Sequence, residues 1–185
     1  VVNPAQAIEP IQVPMSTAGD VATAVAAAKQ AAVTWSAPPA ERRARLLFAL
    51  KHLIDVHMNE LAGLVTAEHG KVLDDARGSV TRGMEVVEFA AGIPQLLKGE
   101  YTEGAGPGID SWSFRQPLGV CAGIGPFNFP AMIPMWMAPV AIACGNTFVM
   151  KPAERVHSLS LRLAELWTEA GLPPGVFNVV TGVGA

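Results

Sequence analysis

The chain has 185 residues, enough for one domain or a little more, and 50% of them are hydrophobic, so a sizeable core can be buried. A net charge of −3, an isoelectric point near 5.8 and the lack of any basic run argue against a nucleic-acid or anionic-membrane partner. Cys121 and Cys144 sit in apolar surroundings without metal-ligand spacing and read as reduced, buried thiols.

The first hundred residues read as helical. Thr17 followed by Asp20 is a capping-box pattern opening an alanine-rich helix. Ser36-Ala-Pro-Pro-Ala-Glu starts a second helix, with proline near its first turn, and Leu46, Leu47, Leu50, Leu53 and Ile54 keep helical spacing. A short helix is expected through Leu61 and Leu64. Another is expected from about Val72 to Ala91, ending before Gly92 and Pro94. From Tyr101 to about residue 117, turns mix with short alternating segments, which predicts a hairpin or arm; Gly104, Gly106, Pro107 and Gly108 read most simply as its loop.

Beyond residue 117 strand and helix alternate. GVCAGIGPF predicts a buried strand, AMIPMWMAPVAIAC a helix and NTFVMKP a strand. SLSLRLAELWTEAG predicts a helix ending at Gly171, and GVFNVVTG a last strand. The run from Phe127 to Met150 is the most apolar, but its three prolines and Gly-Asn-Thr turn divide it into two buried elements rather than a membrane span. This order predicts an α/β fold: N-terminal helices plus part of a doubly wound, Rossmann-like parallel sheet. The expected division is 1–100 helical, 101–117 an arm and 118–185 the βαβαβ portion. Ligands bind such sheets at the strands' carboxyl ends. Here those are Gly125-Pro126-Phe127-Asn128, Lys151-Pro152-Ala153-Glu154-Arg155 and Thr181-Gly182-Val183-Gly184.

Asn128 stands between two phenylalanines at the first of these ends. It reads either as a helix cap or as an amide donor aimed at a developing oxyanion, with Phe127 and Phe129 drying its surroundings. The segment from Lys151 to Arg155 reads either as a solvated turn or as a ribose clamp, in which lysine donates to a sugar hydroxyl and Glu154 accepts from one. A carboxylate there favours NAD over NADP, a preference that Lys151 and Arg155 partly offset. Gly119, Gly123 and Gly125 do not make the dinucleotide fingerprint, and Gly182 and Gly184 only begin one. His52, His57, His69 and His157 show neither metal-ligand spacing nor a carboxylate-partner pattern, so no metal is expected. Neither cysteine has a sequence partner that would make it a nucleophile.

From about Arg115 to Gly182 the chain resembles the aldehyde dehydrogenase superfamily. The stretch QPLGVCAGIGPFNFPAMIPMWMAPVAIACGNTFVMKPAER is especially similar to its CoA-acylating methylmalonate-semialdehyde branch. EHGK and DDARGSVTRGMEVVEFA agree with that branch, and the first sixty residues match loosely. The resemblance implies that Asn128 donates to the oxyanion of a thiohemiacetal. It places Ile124, Gly125, Pro126 and Phe127 on the nicotinamide side of the cofactor cleft, where the glycine-studded strand would let the cofactor lie close to the backbone, and Lys151 and Glu154 on the adenosine ribose with Arg155 alongside; Gly182 is a further cofactor-binding residue. It puts Trp136 on the substrate tunnel, where core packing is the alternative. It pairs Arg82 with a substrate carboxylate, where an exposed helix arginine is the alternative.

The activity so implied is NAD-dependent oxidation of malonate or methylmalonate semialdehyde through a cysteine thioester that passes to CoA. A homo-oligomer (a homotetramer) in the cytoplasm is expected. The chain begins at Val1 and stops after TGVGA, which predicts a fragment lacking the catalytic domain and its cysteine, inactive by itself and prone to self-association at open sheet edges. The other readings are a non-acylating aldehyde dehydrogenase and a non-catalytic nucleotide-binding or oligomer-forming remnant.

Overall fold

A computed structural model describes residues 1–6 and 12–183. Seven helices and five strands follow one another among them. α1 (Ala18–Trp35), α2 (Ala40–Val56), α3 (Met58–His69), α4 (Leu73–Ala91) and the single turn α5 (Ile93–Leu96) come first. A hairpin of β1 (Tyr101–Gly106) and β2 (Ile109–Trp112) follows. Then come β3 (Val120–Ile124), α6 (Met132–Ala143), β4 (Thr147–Lys151), α7 (Ser158–Glu169) and β5 (Phe177–Val179). The sheet order is β3-β4-β5, and both pairings are parallel. The expected α/β class and parallel sheet are therefore present. α5 was not anticipated: Pro94 opens a further turn there instead of ending the helical region, as its fixed φ permits at a first turn.

The predicted capping box is formed. Asp20 N–H donates to Thr17 Oγ1 at 3.2 Å, and Thr17 N–H donates to Asp20 Oδ2 at 2.7 Å. α1 lies against the sheet, where Ala28 packs with Val149 and Val180. The other sheet face, with Phe148 and Met150, joins the main core together with α6 and α7. Side chains alternate across a strand, so β4 is buried on both sides. The second face is thus covered by the N-terminal helix, a long-range contact that local pattern could not reveal.

Two side chains from the helical region close the C-terminal end of α6. Trp35 Nε1 donates to the Ile142 carbonyl at 3.1 Å, and the buried Arg43 donates from Nε to the Ala143 carbonyl at 2.9 Å. The last carbonyls of a helix lack the usual intrahelical donors, and here the Ile142 carbonyl also accepts from Gly145 N–H at 3.0 Å. Asn146, in the following turn, accepts from the Leu118 and Gly119 N–H groups at 2.6 and 3.0 Å and donates to the Ala141 carbonyl at 3.1 Å. One amide therefore ties the entrance of β3 to the end of α6 and fixes the register in which the two strand ends emerge together.

Candidate functional site

The carboxyl ends of β3 and β4 lie side by side, because Ile124 is registered opposite Lys151 and Gly125 N–H donates to the Lys151 carbonyl at 2.9 Å. Beyond that bond the chain runs through Pro126 and Phe127 to Asn128. Asn128 is exposed, and its side chain makes no hydrogen bond with the described residues. It is not a helix cap. α6 begins at Met132, its N-cap is Ala131, and no side chain caps it. The amide is left free to donate to something else. The cap reading fails because Phe129, Pro130 and Ala131 stand between Asn128 and the helix.

The two phenylalanines are held from below. The Phe127 ring stacks on His69 with centroids 4.7 Å apart and planes 13° from parallel, and the Arg155 guanidinium stands 5.7 Å from its centre. The Lys71 ammonium sits 4.3 Å above the centre of the Phe129 ring. His69 and Lys71 arrive here because α3 ends at Gly70, whose φ of 86° is a left-handed turn suited to glycine. A Cβ at Gly70 would stand 2.7 Å from Pro4 Cγ, so that turn tolerates nothing larger. His69 was weighed from sequence only as a metal ligand, and Lys71 not at all. The sole signal was the EHGK string, which places both just past a helix end.

Gly123 and Gly125 turn out to serve internal packing. A Cβ at Gly123 would lie 2.7 Å from Phe148 Cζ, and one at Gly125 would lie 2.6 Å from Met150 Cε. On the side a Cβ would take, both glycines are therefore backed by the chain's own core. Ile124, which is 76% exposed, and Ala122 are the open positions on this strand.

At the end of β4, Lys151 Nζ stands 3.9 Å from Glu154 Oε2, and a Cβ on Gly182 would lie 3.9 Å from Lys151 Cε. The ammonium, the carboxylate and the third strand end are thus together. Arg155 stands over the Phe127 ring. Glu154 and Arg155 also border a cleft of about 410 Å³ with Glu68, His69 and Phe127. Pro14 to Ser16 are strapped across the end of β5, where Ser16 N–H donates to the Thr181 carbonyl at 2.9 Å and Thr181 N–H to Ser16 Oγ at 3.0 Å. Gly184 lies outside the described residues.

Arg82 and Trp136 meet where α4 crosses α6. Trp136 Nε1 donates to the Arg82 carbonyl at 3.3 Å, and the ring is 42% exposed, so it is not a core residue. Arg82 is exposed and lines a recess of about 280 Å³ with Lys71, Asp74, Asp75, Gly78, Ser79 and Phe129.

The thiols stand elsewhere and are half-buried rather than buried. Cys121 is at the start of β3, seven residues of extended chain and turn before Asn128, and Cys144 caps the far end of α6. Burial raises both thiol pKa values, with Arg43 opposing the rise at Cys144, so the protonated form is favoured. His57 does have a carboxylate partner, contrary to the sequence reading. Its Nδ1 lies 2.6 Å from Glu60, which also receives Arg162 at 2.7 Å, an exposed ion-pair cluster on helices away from the strand ends. Glu68 is buried and accepts from both Ser158 N–H, at 3.1 Å, and Ser158 Oγ, which sets a carboxylate at the N-terminus of α7. Among the described residues no group of three His, Cys, Asp or Glu could hold a metal ion. No helix there is long and apolar enough to cross a membrane.

Residues 1–185 match the aldehyde dehydrogenase family along their whole length. Malonate-semialdehyde dehydrogenase 3 of Geobacillus kaustophilus is 56% identical over 180 residues, covering 97% of this chain and 37% of the relative. The crystal structure of the methylmalonate-semialdehyde dehydrogenase DddC from Oceanimonas doudoroffii superposes with a TM-score of 0.96 at 51% identity, over 98% of this chain and 37% of that one. A Sinorhizobium meliloti chain assigned as methylmalonate-semialdehyde dehydrogenase, and complexed with NAD, gives 0.89 at 56% identity over 92% of this chain and 35% of that one. The chain therefore spans a little over a third of the length of the relatives it matches. It belongs to the aldehyde dehydrogenase family.

Proposed function

We propose that this aldehyde dehydrogenase segment supplies the oxyanion donor, the cofactor-facing strand ends and part of the substrate pocket of an NAD-dependent semialdehyde dehydrogenase. The observation that carries the reading is the free Asn128 amide. It sits at the end of β3, capping nothing, one residue from Phe129 and the cationic recess. Such a donor, held in place before the reaction, stabilises charge as it develops on a carbonyl oxygen by roughly 3–4 kcal/mol.

The residues present fit a dinucleotide. Lys151 and Glu154 offer a donor and an acceptor 3.9 Å apart at a strand end, as a ribose requires, with Gly182 beside them. Ile124, Gly125, Pro126 and Phe127 would line the nicotinamide side. Arg155 would act through the Phe127 ring rather than on the ribose. NAD, when bound, accepts the hydride from the substrate. Glu154 would oppose the extra charge of a 2′-phosphate and so favour NAD over NADP.

Arg82 would pair with the carboxylate of malonate or methylmalonate semialdehyde, and Trp136, hydrogen-bonded to the Arg82 backbone, would form the adjoining wall. The nucleophile would be a cysteine of the whole enzyme other than Cys121 and Cys144, in which burial favours the protonated thiol. CoA as acyl acceptor is part of the proposal, as are a homotetramer in which the 101–117 hairpin pairs subunits, and a cytoplasmic location. So is the division into a helical part at 1–100, that arm, and the sheet portion at 118–185.

The test is NADH formation by the full-length protein with malonate semialdehyde and NAD, with and without CoA. Turnover that requires CoA supports the acylating enzyme. Turnover indifferent to CoA supports the non-acylating reading. No turnover with either would overturn the enzyme.

A further inference from the structure

The recess beside Phe129 contains more cationic character than one arginine provides. Lys71 is partly buried and forms no ion pair or hydrogen bond with the described residues; its ammonium is held over the Phe129 ring, 4.3 Å from the centre. The Arg82 guanidinium, on the same recess, is likewise without an ion pair or side-chain hydrogen bond among the described residues. The two cations are close enough to interact. Burial lowers the Lys71 pKa, Asp75 opposes the change, and Arg82 lowers it further.

Of the two carboxylates on the rim, Asp74 is engaged by Arg77 at 3.0 Å, and Asp75 lies beyond ion-pair distance of Lys71. A third polar group borders the same space. Ser79 is 1% exposed, and its Oγ has no hydrogen-bond partner. Buried hydroxyls are seldom left unpaired. Gly78, in mid-helix, leaves the wall open: a Cβ there would meet nothing within 4 Å.

Two unpaired cations and an unpaired buried hydroxyl around about 280 Å³ describe a receptor for a small anion. The volume lies just below the ~300 Å³ at which drug-sized pockets begin. We propose that Lys71 is a second carboxylate-binding residue, acting with Arg82 and assisted by Ser79, so that the recess grips a short aldehyde acid by its carboxylate from two sides. The neighbouring Phe129 then sets the distance from that carboxylate to Asn128, which limits the acid to a short carbon chain. The inference rests on the dehydrogenase reading only for the identity of the acid.

The experiment uses the full-length protein and two readouts. The first is calorimetric titration with malonate, which requires no turnover. Lys71→Met and Arg82→Met are each expected to weaken binding about 10- to 100-fold, the loss of one charge-assisted hydrogen bond. Lys71→Arg should retain most of the affinity, and Gly78→Met should block binding by filling the recess without touching either cation. The second readout is the ratio of kcat/KM for malonate semialdehyde over propanal, which should fall by about the same factor in Lys71→Met. Malonate affinity unchanged in Lys71→Met, or a substrate ratio unchanged while both rates fall together, overturns the proposal. A protein that oxidises neither aldehyde fails the dehydrogenase reading, and the malonate titration still decides the subsite.

Discussion

Gly83 packs against Met135 of α6, immediately after Arg82 and three residues after the buried Val80. An alanine Cβ there would stand 2.4 Å from Met135 Cε, 3.1 Å from its Sδ and 3.0 Å from its Cβ. The Cε and Sδ contacts can be relieved by turning the methionine. The Cβ contact cannot, because that atom moves only with the helix. Overpacking of this sort costs about 1–3 kcal/mol. Against it stands the gain of about 0.8–1.0 kcal/mol from replacing glycine by alanine inside a helix. Gly83→Ala is therefore expected to be destabilising by about 0–2 kcal/mol despite its better helix propensity. It should also push α6 outward and weaken the Trp136 bond to the Arg82 carbonyl. Urea unfolding of the full-length protein reads the first effect, and the KM for malonate semialdehyde, which should rise, reads the second. A variant stabilised by the whole propensity gain, with KM unchanged, would show that the helices are not in contact at Gly83.

Burial depresses the His157 pKa, with Glu68 opposing the shift, so the fold prefers the neutral ring. Its contribution to stability is complete above the unfolded value near ~6.5 and is lost as pH falls through the lower folded value. Melting temperature should therefore drop between about pH 7 and pH 5. His157→Gln should make that drop shallower without abolishing it, since the His69 pKa is also depressed by burial and by Lys71; equal slopes would refute the assignment. Glu154→Gln should raise the NADP-to-NAD affinity ratio at least about tenfold, by removing a charge that repels a 2′-phosphate. An unchanged ratio in fluorescence titrations would remove Glu154 from the ribose site.

Local chemistry wrote most of the architecture into the chain. The Thr17–Asp20 box and the alternating strands and helices beyond residue 117 rest on neighbours in sequence and appear as read, whereas the loop read over Gly104, Gly106, Pro107 and Gly108 narrows to Pro107-Gly108, because Gly104 and Gly106 belong to β1. What was hidden depends on distant partners. The closure of α6 by Trp35 and Arg43, the covering of the sheet by α1 and the filling of Gly123 and Gly125 by Phe148 and Met150 join residues that no local period connects. The site divides in the same way. Lys151 and Glu154 were visible because they share one strand end. Asn128 was ambiguous until the true start of α6 separated it from any cap. His69 and Lys71 became site residues only when α3 and the Gly70 turn delivered them beneath Phe127 and Phe129.

The central claim is that Asn128 donates to an oxyanion, and the most direct measurement is the turnover of Asn128→Ala in the full-length protein with malonate semialdehyde and NAD. The account predicts a fall in kcat of about 10²- to 10³-fold with NAD affinity unchanged. A kcat within a factor of two or so of the parent protein would contradict it, since a 1 kcal/mol effect already exceeds that.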